Sequence, residues 1–429
     1  MEKMNLQLRH VLSGGMAVCL LLASFVSSAV TMNITASFSP SLTNPENVVF
    51  TDTTAQSGFC ATWPTYCVNG ERSLSTGLIL TPRTGLTTTD SPQDSLYFKW
   101  PSSFQNVEVT NVENGTTTMV RFRVSSFSGR YDANSNYGVY DWGESGYAFT
   151  LGPLGGCNAI TPGWLIGNTG VAWLWGVPEG TGGCYRITSV DRPVGDAKFV
   201  RQVNTLSFGY TMIAPSPLTL TSGEYVGTVT YTIGPGGDID FGNNFQANDN
   251  ILEINFKLSV NHDLKLTPAA GAQSVALQPC ATGRVCSEDE GQANWERWMV
   301  TRVTPQLTGR SAFSLSSSGA FTVYLSCAEQ SGTDCALKSD NSGQLVPVKT
   351  LLSLPDNIID SATGASVTRK ALRIGKDMSN NIFNTQSYAR DAAGNIDFLV
   401  TQKDVDTMLK TRPDTYRGAV TVIFDPNLF

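Results

Sequence analysis

The sequence predicts an all-β protein with two β-sandwich domains in tandem. Its composition suits many short strands joined by turns, because only 15% of the residues are charged and there are 40 glycines and 20 prolines. Apolar residues alternate at period two in many short segments, whereas no long amphipathic helical pattern occurs. A length of 429 residues favours two or more domains.

Residues 1–29 have the pattern of a secretory signal peptide. Lys3 and Arg9 give a positive start, a short apolar run follows, and small residues end at Ala29. The run is shorter than the roughly twenty apolar residues that span a bilayer. We therefore predict cleavage after Ala29 and export to an oxidising compartment.

The charge balance of the exported chain is acidic. Glu2, Lys3 and Arg9 contribute a net +1, so cleavage changes the formal charge from −7 to −8. This balance argues against nucleic acid and anionic membranes as partners, since both attract basic surfaces.

Cysteine spacing predicts four local disulfides. Cys19 lies in the signal, and the remaining eight of the nine cysteines fall into close pairs, two in each half of the chain. Metal binding is disfavoured because no C-x-x-C motif occurs and histidine is nearly absent. The predicted pairs are Cys60–Cys67, Cys157–Cys184, Cys280–Cys286 and Cys327–Cys335.

Alternating segments place the strands of the first domain, residues 30–266. Val30–Phe38 comes first and ends before Pro40, and Asn-Gly and Gly-Gly turns separate the segments that follow. The other predicted strands are 95–100, 117–124, 147–151, 171–177, 205–212, 225–233, Ile251–Val260 and 263–266.

A small, uncharged stretch that contains proline, residues 267–272, is the predicted linker to a second domain at 273–429. A short helix is predicted at residues 404–409, with Asp404 able to cap it. The predicted strands of the second domain are 298–303, 321–326, 345–354, 371–374, 396–400 and 416–424.

The last predicted strand repeats an earlier one. Residues 224–233 and 415–424 share the order Tyr, any residue, Gly, small residue, Val, Thr. The upstream copy is followed by further strands and the downstream copy ends the sequence, so the second sandwich is expected to lack its final strand. An unpaired apolar edge favours association with another chain. The candidate assembly residues, on one face at period two, are Tyr416, Gly418, Val420, Val422 and Phe424.

Catalytic signals are weak. His262 is the single histidine after the signal, and it alternates with apolar residues, which favours a strand position. No nucleophile elbow, phosphate loop or dinucleotide fingerprint occurs, and residues 238–244 fit a hairpin turn better than a calcium loop. A glycosidase with paired carboxylates is the enzymatic alternative that sequence leaves open. We expect no enzymatic activity, no cofactor and no metal.

Aromatic residues between Cys157 and Cys184 suggest a binding surface. Trp173 and Trp175 share a strand face, which favours the core. Trp164 follows Pro-Gly on a predicted loop and is the better exposed candidate for stacking on a sugar ring. Arg121 and Arg123 share one face of the predicted strand 117–124, and Arg130 follows it; these arginines add positive charge. The candidate receptor-binding residues are Trp164, Arg121, Arg123 and Arg130.

Together these features resemble chaperone–usher pilus subunits. More narrowly, the chain is similar to alpha-fimbrial tip adhesins and CblD-like pilus biogenesis initiator proteins, such as the colonization factor antigen I tip subunit. The residues that carry the resemblance are 57–60 leading through Trp63 to Cys67, 222–227, 251–266 and 416–424.

The resemblance implies two immunoglobulin-like β-sandwich domains: an adhesin domain, followed by a pilin domain whose incomplete sandwich needs a donor strand. It places the chain at the tip of a fimbrium on the cell surface. It implies a periplasmic chaperone, an outer-membrane usher, the donor strand of a major pilin, and a host glycan or glycoprotein receptor as partners. Val30–Phe38 is then either the first strand of the adhesin domain or a donor strand. Two alternatives stay open: an adaptor or shaft subunit that donates this strand, and a secreted carbohydrate-active enzyme.

Overall fold

The described part of the chain is all-β and has two domains, each with its own hydrophobic core. The predicted signal peptide and the predicted strand 147–151 lie outside it. None of its helices is long and apolar enough to cross a membrane. The computed structural model describes residues 30–40, 49–67, 70–132, 152–166, 170–188, 190–196, 202–281, 283–376 and 381–426, with only the backbone of residues 162 and 164–166.

The first domain is formed by β1 to β14 and a one-turn helix, α1 (Phe59–Thr62). The strands are β1 (Val30–Phe38), β2 (Thr51–Asp52), β3 (Leu74–Ser75), β4 (Leu80–Pro82), β5 (Leu96–Phe98), β6 (Gln105–Asn111), β7 (Thr117–Asp132), β8 (Asn158–Ile166), β9 (Gly170–Gly176), β10 (Cys184–Arg186), β11 (Gln202–Ile213), β12 (Gly223–Thr232), β13 (Phe245–Ala247) and β14 (Ile251–Val260).

Most of these strands belong to one sheet in the order β13-β4-β11-β7-β6-β12-β14-β1-β2, with β3 beside β11 and β8 and β9 beside β7. The strands β5 and β10 form a separate pair. The core is strongly aromatic: Trp173 and Trp175 are fully buried, and both rings pack against Phe98. The predicted core position of the two tryptophans is confirmed.

The strand β1 is an integral part of this domain. It pairs with β14 in parallel, from Val30 opposite Leu252 to Phe38 opposite Val260. Parallel pairing at this position joins segments more than two hundred residues apart in the sequence. The structure therefore places β1 as the first strand of the first domain. Its buried, inward-facing residues are Met32, Ile34, Ala36 and Phe38.

The second domain is a sandwich of two sheets that share one core. Its strands are β15 (Leu264–Pro268), β16 (Gln278–Cys280), β17 (Gln306–Ser317), β18 (Phe321–Cys327), β19 (Gln330–Ser331), β20 (Asp334–Ser339), β21 (Leu345–Ser353), β22 (Ile358–Asp360), β23 (Lys370–Ala371), β24 (Ile382–Thr385), β25 (Ala389–Val400), β26 (Tyr416–Arg417) and β27 (Val420–Asp425).

The larger sheet of this sandwich runs β15-β17-β25-β21-β20-β19, with β16 beside β17, β23 beside β21 and β26 beside β20. The smaller sheet runs β22-β24-β18-β27. Leu315 of β17 and Val323 of β18 are both fully buried in the common core, so the two sheets face each other.

The connection between the domains lies earlier than the predicted linker. The strand β15 already pairs with β17 of the second domain, from Leu264 opposite Ser317 to Pro268 opposite Phe313. The chain therefore crosses between domains over residues 261–263, and Thr267 belongs to a strand. The small residues after Pro268 were misleading because they form the turn that follows β15.

A helix replaces the strand predicted at 298–303. This helix, α2 (Glu288–Thr301), begins with a capping box: the Ser287 hydroxyl accepts a hydrogen bond from the Glu290 amide, and the Glu290 carboxylate accepts one from the Ser287 amide. Acidic residues in the first turn favour the positive end of the helix dipole. The Ser-x-x-Glu spacing was the sequence signal for this helix.

The helix predicted at residues 404–409 is confirmed as α3 (Gln402–Leu409). Its N-cap is Thr401 and not Asp404, which lies in the first turn. The Thr401 hydroxyl donates a hydrogen bond to the Asp404 carboxylate at 2.5 Å, so Asp404 fixes the cap residue without being it.

All four predicted disulfides are present. Each joins Cα atoms 5.4–5.6 Å apart, within the range for a disulfide. Cys157–Cys184 closes the widest loop, with a sequence separation of 27, and this closure contributes roughly 3–4 kcal/mol in the chain-entropy view.

Candidate functional site

The strand β27 lies at the end of the smaller sheet of the second domain. One side of it pairs antiparallel with β18, from Val420 opposite Cys327 to Asp425 opposite Thr322. Within the described ranges no strand pairs with its other side. The backbone donors and acceptors on that side form an edge that another strand can join.

An apolar groove runs along this open edge, with a volume of ≈ 610 Å³. One wall belongs to the larger sheet and includes Leu266, Phe313 and Phe398. The other wall is β27 itself, whose inward residues are only half buried although they pack against the core. Four of the five predicted assembly residues line this groove. Those residues of β27 are Val420, Val422 and Phe424.

Aromatic packing fixes the far end of the groove. The Phe424 ring lies 5.5 Å from the ring of Phe313 in the larger sheet and 6.0 Å from that of Phe321 in β18. Phe424 therefore bridges the two sheets at the edge of the core and holds β27 in register.

The other end of the groove is fixed by Tyr416 and Gly418. The Tyr416 hydroxyl hydrogen-bonds with the Thr411 hydroxyl at 2.7 Å and donates to the Gln344 side-chain oxygen at 2.8 Å. Beyond Arg417 the chain leaves β20 and joins β18. At this crossing a Cβ on Gly418 would lie 2.6 Å from the carbonyl oxygen of Ala336, so only glycine fits.

The first domain shows the same strand in a closed sandwich. Tyr225 of β12 hydrogen-bonds through its hydroxyl with Thr221 at 2.9 Å, and a Cβ on Gly227 would lie 2.2 Å from the carbonyl oxygen of Glu108. Along β12, however, all ten residues pair with β14. The groove beside β27 is thus the position that β14 fills in the first domain. The residues that β14 buries are Leu252, Ile254, Phe256, Leu258 and Val260.

The candidate arginines do not form one patch. Arg121 and Arg130 both belong to β7 and are nine residues apart, about 30 Å along a strand. Arg121 lies over the Phe104 ring at 4.6 Å, whereas Arg130 is paired with Asp132 at 2.5 Å. One small ligand therefore cannot contact both.

Arg123 has a positioning role. Its Nη1 donates a hydrogen bond to the carbonyl oxygen of Val177 at 3.0 Å, and its guanidinium lies 5.5 Å from the Phe104 ring. Val177 begins the loop that leads to Cys184. Arg123 thus anchors that loop, a role that strand periodicity could not predict.

The predicted loop around Trp164 is a strand. The backbone of Trp164 belongs to β8 and lies opposite Ala172 of β9, which in turn lies opposite Arg130 of β7. Trp164 and Arg130 therefore share one row of the sheet, two strands apart. The side chain of Trp164 lies outside the described residues, so its receptor-binding role stays a prediction.

His262 lies in the connection between the domains and not in a strand. Its Nε2 donates to the carbonyl oxygen of Leu220 in the first domain at 2.8 Å, and its Nδ1 lies 3.2 Å from the Ser318 hydroxyl in the second. Burial lowers the pKa of His262, opposed by the hydrogen bond to Leu220. The neutral ring is therefore a joint between the domains.

No family model matches the chain, and no curated protein matches it. Solved structures, in contrast, do match the chain. The structural neighbours include chaperone–usher tip adhesins. A CFA/I chaperone–tip adhesin complex has 9% identity and a TM-score of 0.22, and covers 94% of this chain and 97% of its own.

The tip subunit in the CsuC–CsuE pre-assembly complex of Acinetobacter baumannii Csu pili has 12% identity and a TM-score of 0.22, with coverage of 92% and 98%. A mutant of CfaE, the CFA/I adhesin of enterotoxigenic E. coli, has 9% identity and a TM-score of 0.23, with coverage of 94% and 93%. Scores this low add no argument about function, which rests on the groove and the strands around it.

Proposed function

We propose that this chain is a minor fimbrial subunit at the tip of a chaperone–usher pilus. The first domain mediates adhesion to a host surface, and the second initiates assembly by accepting a donor strand from the next pilin. The observation that carries the proposal is the apolar groove beside β27, at the position where β14 completes the first domain.

The chemistry of the groove fits an extended segment. A strand that runs antiparallel to β27 would pair with its open edge and insert every second side chain between the sheets. The strand β14 does this in the first domain, where it buries alternate residues from Leu252 to Val260. The expected donor is therefore a segment with apolar residues at alternate positions.

The partners follow from this role. A periplasmic chaperone would cover the groove before assembly, because an exposed apolar edge invites aggregation. An outer-membrane usher would then exchange the chaperone for the donor strand of a major pilin. The mature subunit would be exported through the periplasm and displayed at the fimbrium tip, where its receptor is a host-cell glycan or glycoprotein.

The state of β1 supports the tip role over that of an adaptor or shaft subunit. An adaptor would donate this strand, but β1 pairs with β14 over nine residues and buries four of its side chains. Releasing it would open the core of the first domain. No observation of comparable weight among the described residues favours the carbohydrate-active enzyme.

The test is to supply the missing strand. We expect that fusing the donor strand of the cognate major pilin after Phe429, through a flexible linker, stabilises the second domain. A gain of about 3 kcal/mol would raise the melting temperature of a domain of this size by about 10 °C. Differential scanning calorimetry of the full chain, with and without the fusion, measures this.

Matched variants locate the effect in the groove. Val422→Asp places a charge in the apolar wall and should abolish the gain, because an unpaired charge is costly to bury. Arg417→Ala should leave the gain intact, since its ion pair with Asp340 at 3.1 Å is exposed. A fusion no more stable than the parent chain would contradict the proposal.

A further inference from the structure

The end of the helix α2 exposes apolar side chains to solvent. Met299, Val300 and Val303 are 56%, 85% and 67% exposed. The helix is held on its domain from another side, because Gly291 is buried and Trp295 packs against the core of the second domain. Neighbouring apolar side chains left exposed in this way are a feature of protein contact sites. We name this region the α2-end surface, and its residues are Trp298, Met299, Val300, Arg302, Val303 and Arg412.

Two arginines give the α2-end surface a positive charge. The guanidinium groups of Arg302 and Arg412 each lie 5.5 Å from the ring of Trp298, in cation–π contacts. Both arginines are exposed, and within the part of the chain that the structure describes neither forms an ion pair. Unpaired cations around an apolar centre are complementary to a partner that carries carboxylates around an apolar patch.

The α2-end surface lies at the end of the second domain that is remote from the first. The strand β17 begins at Gln306, three residues after Val303, and ends at Ser317 opposite Leu264, beside the connection between the domains. Its eleven steps of about 3.3 Å separate the two ends by about 36 Å. In the proposed fibre the first domain faces the host, so the α2-end surface faces the neighbouring subunit.

The groove beside β27 opens at this same end of the domain. Tyr416, which precedes Val420 along the chain, hydrogen-bonds with Thr411, the neighbour of Arg412. The other end of the groove lies at Asp425, which pairs with the start of β18 just after the turn that follows β17. A donor strand antiparallel to β27 therefore enters beside Asp425 and leaves beside Val420.

A donor strand at the start of its subunit leads directly into the body of that subunit. The body then follows the strand out of the groove at its Val420 end, next to the α2-end surface. We propose that the α2-end surface docks the body of the pilin that donates its strand, through an apolar patch bordered by carboxylates on that pilin. The assignment rests on the proposed function. The donor strand holds the neighbouring subunit, and the α2-end surface sets its orientation.

Val300 allows a matched test of both the position and the charge. Val300→Glu and Val300→Lys replace the same apolar side chain with flexible chains of similar length and opposite charge. Since Val300 is 85% exposed, neither change removes core packing. The control is Val112→Glu, which adds the same negative charge at an exposed valine of the first domain, just after β6.

Two proteins would be titrated against each other, each with its groove filled by a fused donor strand. One is the full chain with the donor strand of the cognate major pilin fused after Phe429. The other is that major pilin, ¹⁵N-labelled, without its own N-terminal strand and completed by the same strand fused at its C-terminus. Because no strand is left to exchange, shifts in the NMR spectrum of the pilin report contact between the two bodies alone.

We expect the pilin to bind the parent chain and Val112→Glu equally, and Val300→Glu at least about fivefold more weakly. Val300→Lys should stay within about twofold of the parent, because its added attraction to carboxylates offsets the lost apolar contact. Binding to the parent should weaken between about 50 mM and about 500 mM salt, since exposed charges are screened. The melting temperatures of the three variants should match that of the parent.

The assignment is overturned if the pilin does not bind, if it binds Val300→Glu as tightly as the parent, or if it prefers Val300→Glu to Val300→Lys. It is also overturned if Val300→Glu weakens binding of the cognate periplasmic chaperone and leaves the pilin unaffected. The stability of the fusion separates this from the proposed function. If the fused strand stabilises the second domain and the pilin still fails to dock, the tip role stands. If the fused strand gives no stabilisation, the proposed function is wrong and the docking assignment falls with it.

Discussion

The strands β12 and β27 begin alike and end in different surroundings. In both, a tyrosine hydroxyl bonds to a threonine a few residues upstream, and a glycine lies against a neighbouring carbonyl oxygen. Beyond that point β12 is covered by β14, whereas β27 borders an open groove. The same local sequence thus builds a closed or an open sandwich, and the following strand decides which.

Burial measures the difference. Tyr231 of β12 and Ile233, just after this strand, are 1% and 8% exposed, whereas Val422 and Phe424 at the matching steps of β27 are only half buried. The second domain therefore keeps apolar surface in contact with water, surface that the first domain removes. A partner strand that covers this surface would gain the hydrophobic free energy of its burial.

The largest expected effect concerns the first domain, whose sandwich is closed by β14. Phe256 of β14 is 1% exposed and its ring lies 5.3 Å from that of Phe122. Phe256→Ala should lower the free energy of unfolding of the first domain by about 3–5 kcal/mol. Val422→Ala should cost the second domain about 1 kcal/mol or less, because it is half buried. Urea unfolding followed by tryptophan fluorescence measures both, and equal losses would contradict the comparison.

An intermediate effect tests the shared glycine. Gly227→Ala and Gly418→Ala each push a methyl group against a backbone carbonyl, at 2.2 Å and 2.6 Å. We expect each to destabilise its own domain by about 1–3 kcal/mol, with the larger loss at Gly227. Thermal unfolding of the two variants checks this. If either alanine is tolerated without loss, that glycine is not needed for the close approach.

The smallest effect concerns the joint between the two regions. The pKa of His262 is lowered by burial, so the unfolded chain takes up a proton at a higher pH than the folded chain does. The stability from the neutral ring is complete above the unfolded pKa of about 6.5 and is lost as the pH falls from that value to the lower folded pKa. The slope contributed by this one group cannot exceed about 1.4 kcal/mol per pH unit.

His262→Gln removes this slope. Guanidinium unfolding between about pH 5 and pH 8, compared for the parent and His262→Gln, isolates the contribution of the ring because all other groups are shared. We expect the free energies of unfolding of the parent and the variant to be similar at low pH. As the pH rises, the parent should become the more stable of the two. Parallel curves would show that the ring does not titrate with folding.

Local chemistry was readable from the sequence. The period-two pattern gave β1 and β14 with their observed bounds, and close spacing gave the disulfides because each pair closes a short loop. The repeated Tyr-x-Gly pattern located β27. Each of these signals lies within a few residues of the feature that it specifies.

Long-range relations were not readable. The parallel pairing of β1 with β14 depends on which edge is free, and no residue of β1 encodes this. Arg121, Arg123 and Arg130 all belong to β7, but the contacts of Arg121 with Phe104 and of Arg123 with Val177 involve other segments of the chain. The groove beside β27 is lined by residues from Leu266 to Phe424, so no short sequence window contains it.

The parallel placement of β1 also has a mechanical consequence. The strand β14 continues directly through residues 261–263 into β15, so a pull between the two domains runs along its axis. Such a pull loads the ladders with β12 and β1 in shear, and their hydrogen bonds resist together rather than opening one after another. In a molecule stretched between an anchored fibre and a surface, β14 would carry the largest load. It is hydrogen-bonded to a neighbouring strand on each side.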